Sequence, residues 1–146
     1  MATETIEQVK ERIEEVLPPA AKEEIDGGAA VVVDVRDSER FESGHLEGAV
    51  NLTSGEGARG ARSGDYADSV AELAGGKQKR VILYCGEGNR SARTADALRN
   101  QHGFEQVTSI IGGVKLWSEL GFPVEGEIVL GGEESETDLE GEEDKT

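Results

Sequence analysis

This chain of 146 residues has one cysteine, three prolines, one tryptophan, two tyrosines and three phenylalanines. A lone cysteine rules out an internal disulfide, and with only two histidines a metal cage is not expected. No apolar run approaches the roughly 20 residues a membrane-spanning helix needs. The opening "MATETIEQVKERIEEVL" has neither a basic start nor an apolar stretch, so no secretory signal is expected and a cytoplasmic location is. Basic residues are also scarce, 15 against 31 acidic ones, for a formal charge of −16. No basic footprint for phosphates is present, which argues against nucleic acid as a partner.

What is abundant is glycine, at 20 residues, and acid. The final stretch "GGEESETDLEGEEDKT" contributes −7 of the charge and leaves −9 dispersed over the rest. With one leucine and no aromatic residue, it reads as an acidic disordered tail over 126–146. The dispersed acidity resembles that of proteins from salt-loving organisms, where surface charge maintains solubility; an ordinary acidic bacterial protein is the alternative.

Ile6, Val9, Ile13 and Val16 recur at spacings of three and four, predicting an amphipathic helix over 4–17 that Pro18 and Pro19 end. A short helix over 20–26 follows, closed by Gly27 and Gly28. "AAVVVDV" (29–35) and "RVILYC" (80–85) are runs suited to strands buried on both faces. "GAVNL" (48–52) and "QVTSII" (106–111) read as further strands. Helices are expected over 65–74, 90–103 and 112–121, and a glycine-rich loop over 53–64. Strands alternating with helices of about ten residues indicate an α/β fold, a central mostly parallel sheet with helices on both faces. The chain divides into an N-terminal helical extension (1–19), one domain (20–125) and the tail (126–146).

In such sheets ligands sit beyond the carboxyl ends of the strands. Cys85 ends one of the two strong strands, and Arg90 opens the helix after it. The intervening loop, Cys85, Gly86, Glu87, Gly88, Asn89, Arg90, Ser91, can curl with its N–H groups inward, because glycine and asparagine tolerate positive φ. Those donors and the helix dipole form an anion nest in which a thiolate is favoured over the thiol, making Cys85 a nucleophile. Arg90 adds a charged fork for an anionic substrate, whereas Glu87 opposes it unless turned to water. A cysteine after an apolar strand is more often an inert small hydrophobe; the glycines, the arginine and the strand-to-helix position favour a reactive one.

Three stretches in order resemble the rhodanese family of sulfurtransferases. "VVVDVRDSERFESGHLEGAVNL" resembles its first signature, "YCGEGNRSA" its active-site loop and "IIGGVKLWSELGFPV" its closing segment. The resemblance covers residues 20–125. It implies that Cys85 takes a sulfane sulfur as a persulfide and passes it to a thiol acceptor, with loop residues 86–91 cradling the anion and no cofactor. The donor would be a small sulfur-containing anion or a persulfide-carrying protein. Glu87 stands where many thiosulfate-preferring members hold a basic or neutral residue, which points toward the protein donor. Related cysteine phosphatases and arsenate reductases have one residue more between cysteine and arginine, and a non-enzymatic binding module would be expected to have lost the cysteine.

Supporting positions are Asp34, Arg36, His45 and Trp117. Asp34 is read as a turn or cap residue, or as orienting a nearby arginine, and Arg36 as pairing with Glu39 or Glu42. His45 is placed by the resemblance in a structural motif rather than as a general base. Trp117 is expected in the core with Val114 and Leu120 and, by the resemblance, close to the active loop. His102 is expected to face solvent at a helix end, as are Arg59 and Arg62 in the glycine-rich loop.

Overall fold

A capping box starts the described chain: Gln8 N donates to the Thr5 hydroxyl at 3.1 Å, and Thr5 N to the Gln8 side chain at 2.9 Å. The helix it opens, α1 (Ile6–Lys10), is far shorter than the periodicity predicts. Residues 14–16 instead form β1 (Glu14–Val16), paired in parallel with a strand 94 residues on, Glu14 opposite Thr108 and Val16 opposite Ile110. Ile13 and Val16 are three apart, a spacing that suits one side of a helix but equally the two faces of a strand. Ile13 packs on one face of the sheet and Val16 on the other. The described part of the expected extension, residues 4–19, is therefore not purely helical; it lends an edge strand to the sheet. The computed structural model describes residues 4–54 and 64–128.

Pro18 and Pro19, expected to end a helix, begin one. In α2 (Pro18–Asp26) they occupy the first turn, where a missing N–H costs nothing. The chain continues through β2 (Val31–Asp34), α3 (Ser38–Ser43), β3 (Gly44–Leu46), β4 (Val50–Asn51), α4 (Gly64–Ala74) and β5 (Arg80–Tyr84). It closes with α5 (Asn89–His102), β6 (Gln106–Ile110), α6 (Gly113–Glu119) and β7 (Val124–Gly126). Five strands in the order β1-β6-β5-β2-β4 make one sheet, every pairing parallel. The short β3 and β7, absent from the sequence reading, pair antiparallel beside it.

Alternation along the strands divides the core. Val33, Val35, Val81, Leu83, Cys85 and Val107 face α4 and α5; Val32, Ile82, Tyr84 and Ile110 face α2 and α6. Helices thus cover both faces, as the continuous valine and isoleucine runs require. Each fully buried branched side chain contributes roughly 1.5–3 kcal/mol to holding the layers together. The far end of the chain also differs from expectation. Gly126 belongs to β7, Glu127 N donates to Ser43 O at 2.8 Å and Ile128 packs on the core. The rest of the expected tail, 129–146, lies outside the described residues. Among the described residues no helix is long and apolar enough to cross a membrane.

Candidate active site

β5 delivers Cys85 to the carboxyl edge of the sheet, and Gly88, at φ 102°, turns the chain into α5. This left-handed conformation is the reason for a glycine here, since a side chain at that φ is strained. The turn aims two amides at the sulfur: Gly88 N lies 3.1 Å and Ser91 N 3.3 Å from Sγ. The thiol reaches the Ser91 hydroxyl at 3.4 Å, and that hydroxyl meets the hydroxyl of Ser109, on β6, at 2.8 Å. Cys85, Ser91 and Ser109 are all fully buried. Two backbone N–H groups thus converge on the buried sulfur, and their hydrogen bonds favour negative charge on it.

The segment before α6 braces this loop from behind. Val114 N donates to Cys85 O at 2.9 Å and Lys115 N to Gly86 O at 3.0 Å. Gly113, at φ 58°, lies so close that a Cβ there would stand 2.5 Å from Cys85 O. Of the remaining loop residues, Gly86 is buried, whereas Glu87, Asn89 and Arg90 are half-buried. Arg90 Nε donates to the hydroxyl of Ser54 at 3.3 Å, and Ser54 N donates to Val35 O at 3.1 Å. Tyr66 adds its hydroxyl to this side, donating to Leu52 O at 2.7 Å. Burial pushes the Tyr66 phenol well above its ordinary value, against the pull of the Arg90 charge.

Asp34 and Arg36 form a buried pair rather than separate surface contacts. Arg36 Nη2 donates to Asp34 Oδ2 at 2.7 Å and to Gly44 O at 2.8 Å, and Nε donates to Asp34 Oδ1 at 3.0 Å. Neither Glu39 nor Glu42 is its partner. Those two acids are exposed on α3, while the guanidinium is turned inward over the Tyr84 ring, 5.7 Å from its centroid. Burial alone would lower Arg36; the hydrogen bonds and charge of Asp34 outweigh it and hold the guanidinium above its ordinary value.

His45 stands apart from the sulfur loop. Its ring stacks on Phe41 at 3.8 Å, Nδ1 donates to Phe41 O at 2.7 Å, and Nε2 lies 3.5 Å from Glu125. Trp117 is buried in the cluster on the sheet face opposite Cys85, its Nε1 donating to Pro123 O at 2.9 Å. Leu120, expected beside it, is exposed because α6 ends at Glu119. His102 closes α5 and is half-buried rather than solvent-facing. Arg59 and Arg62 lie outside the described residues. Among the described residues no group of three His, Cys, Asp or Glu side chains is placed to hold a metal ion.

The structure thus gathers Cys85, Gly88 and Ser91 around one atom, with Arg90 alongside. It adds Ser54, Tyr66 and Ser109, which the sequence reading missed. For Ser109 a signal existed: "TS" interrupts an otherwise apolar buried strand.

Similarities to known proteins identify the family of the chain. The model of the Rhodanese-like domain matches residues 17–120. A thiosulfate sulfurtransferase GlpE from Actinobacillus pleuropneumoniae is 32% identical over 117 residues, 80% of this chain and 97% of that protein. A structure from Rhodopseudomonas palustris, described as of unknown function and a possible tyrosine phosphatase, superposes with a TM-score of 0.67 at 27% identity. It covers 86% of this chain and 97% of that one. A thiosulfate sulfurtransferase from Pseudomonas aeruginosa shares the fold at TM-score 0.67 and 22% identity, over 82% of this chain and 21% of that one.

Proposed function

The chain belongs to the rhodanese-like family, and from that premise we propose that it transfers a sulfane sulfur through a persulfide on Cys85. The observation that carries the reading is the convergence of Gly88 N, Ser91 N and the Ser91 hydroxyl on one buried sulfur. The two amides favour a thiolate before attack and again when it leaves, and the hydroxyl that accepts from the thiol can turn to donate to the thiolate. In the first half-reaction the thiolate attacks the outer sulfur of the donor. A new S–S bond forms as the old one breaks, and sulfite departs with the electron pair if the donor is thiosulfate. In the second, an acceptor thiolate attacks the outer sulfur, and Cys85 leaves as thiolate. Ping-pong kinetics follow.

Arg90, held by Ser54, offers its charge to an anionic donor, whereas Glu87 in the same loop repels one. This combination favours a persulfide carried by a protein over free thiosulfate as the working donor. A phosphatase, the description carried by the Rhodopseudomonas neighbour, is the second reading. The six residues from Cys85 through Arg90 give a ring tighter than the phosphatase type and favour sulfur.

Intact-mass analysis after incubation with thiosulfate, or with a cysteine desulfurase and cysteine, tests the proposal. The protein is expected to gain the mass of one sulfur, lose it to a reductant, and show no gain as Cys85→Ser. Absence of any gain with either donor overturns the reading.

A further inference from the structure

β6 carries two buried hydroxyls in an apolar run, and only one serves the sheet. Thr108 donates to Glu14 O at 3.0 Å and so helps to fasten the edge strand β1. Ser109 points the other way, to the face that holds Cys85 and α5, and its hydroxyl meets Ser91 at 2.8 Å. Ser91 in turn stands 3.4 Å from the sulfur. Two buried hydroxyls in series behind a candidate nucleophile restrict one another, because each has a single proton to give. If Ser91 donates to Ser109, the sulfur receives nothing from it. If Ser109 donates to Ser91, the Ser91 proton is released toward the sulfur.

We propose that Ser109 is a positioning residue for sulfur transfer, one that directs the Ser91 hydroxyl at Cys85 whenever the sulfur is negatively charged. With the thiol, S–H donates to Ser91 and Ser91 donates to Ser109. With the thiolate, both hydroxyls rotate and the chain runs Ser109 to Ser91 to Sγ. No proton is transferred between residues; two O–H bonds turn. The pair thereby gives the sulfur a third donor beside the two amides at the moments when charge resides there. Being enclosed, the hydroxyls act with little competition from water. The proposal rests on the reading of Cys85 as the nucleophile.

Because Cys85 is the sole cysteine, its thiolate can be followed by ultraviolet absorbance against pH, with Cys85→Ser as reference. A hydrogen bond to a charged group is lost in Ser91→Ala, and the titration midpoint is expected to rise by about one unit. Ser109→Ala should raise it in the same direction by at least half as much. The double variant should titrate no higher than Ser91→Ala alone, since Ser109 acts through Ser91. Ser109→Thr, which keeps the hydroxyl and guards against a variant that fails to fold, should titrate as the wild type. Glu87 on the loop, Arg90 at the start of α5, Lys115 on α6, Tyr66 on α4 and the Asp34–Arg36 pair at the end of β2 stay unchanged throughout, so the shift reads the hydroxyls.

Persulfide formation by Ser109→Ala should fall about ten-fold below the midpoint for a one-unit shift and converge with the wild type above it. A wild-type midpoint for Ser109→Ala, additive shifts in the double variant, or a raised midpoint for Ser109→Thr overturns the proposal. Should the wild type form no persulfide while the shifts appear, the transferase reading falls and with it the role in sulfur transfer, and only the relay of the two serines to the thiolate stands.

Discussion

The amide of Val114 donates to the carbonyl of Cys85 at 2.9 Å, so the first turn of α6 is bonded to the residue that carries the sulfur. The glycine ahead of it makes this possible. Gly113 has φ 58°, and a Cβ there would stand 2.5 Å from Cys85 O and 2.6 Å from Gly86 C, both backbone atoms that cannot swing aside.

Gly113→Ala is therefore expected to cost more than backbone strain alone. Gly28→Ala, at φ 74° with nothing within 4 Å, should cost roughly 1–2 kcal/mol, the strain of a left-handed residue. Gly113→Ala should exceed that in urea unfolding and should also slow persulfide formation, because the loop must move. Equal costs at the two positions would mean that the close approach is unimportant.

Removing one member of the Asp34–Arg36 pair leaves the other charge buried. Arg36→Ala is expected to destabilise by about 3–5 kcal/mol, read from denaturant midpoints. Arg36→Lys should recover little, because one ammonium cannot reproduce the forked contacts to Asp34 and Gly44 O.

Acid should loosen the N-terminal segment through its ion pairs. The Arg80 hydrogen bonds hold Glu14 below its ordinary value of 4.5 against the opposing effect of burial. Arg12 likewise lowers Glu4. Burial pushes Asp96 up, yet Arg12 and Asn100 bring it below 3.8. A depressed carboxylate contributes stability that is fully present above its unfolded value and is lost as pH falls through the lower folded value. Stability of the wild type should therefore decline below pH 4.5, and Arg80→Gln should flatten that decline. Molar salt should flatten it too, since Glu4 and Glu14 are largely exposed.

Exchanging the loop acid should alter donor choice. Glu87→Lys is expected to lower the KM for thiosulfate several-fold at low ionic strength, with the gain shrinking in molar salt. An unchanged KM in steady-state assays would mean that Glu87 points away from the donor.

The sulfur loop was legible because it is local. Strand, glycine turn and helix start lie within "LYCGEGNRSART", so backbone preference alone places Cys85 among inward N–H groups. The two strong strands were legible for the same reason, as continuous branched runs. Residues 14–16 were not: the spacing of Ile13 and Val16 fits helix and strand alike, and the choice fell to β6, a partner 94 residues away. Arg36 was assigned to acids on the helix that follows it, whereas burial selects Asp34, itself fully enclosed. Ser109 went unremarked within its strand, and only the packing of β5, β6 and α5 places it behind the sulfur.

By itself, then, the sequence determined the layered parallel sheet and the position of the cysteine loop between strand and helix, because periodicity and glycine placement act over a few residues. Only the tertiary structure decided the edge strand, the buried ion pair, the glycine brace at Gly113 and the serine pair. The strand, the brace and the serine pair join groups distant in the chain, and burial away from water selects the ion pair, whose members stand two residues apart.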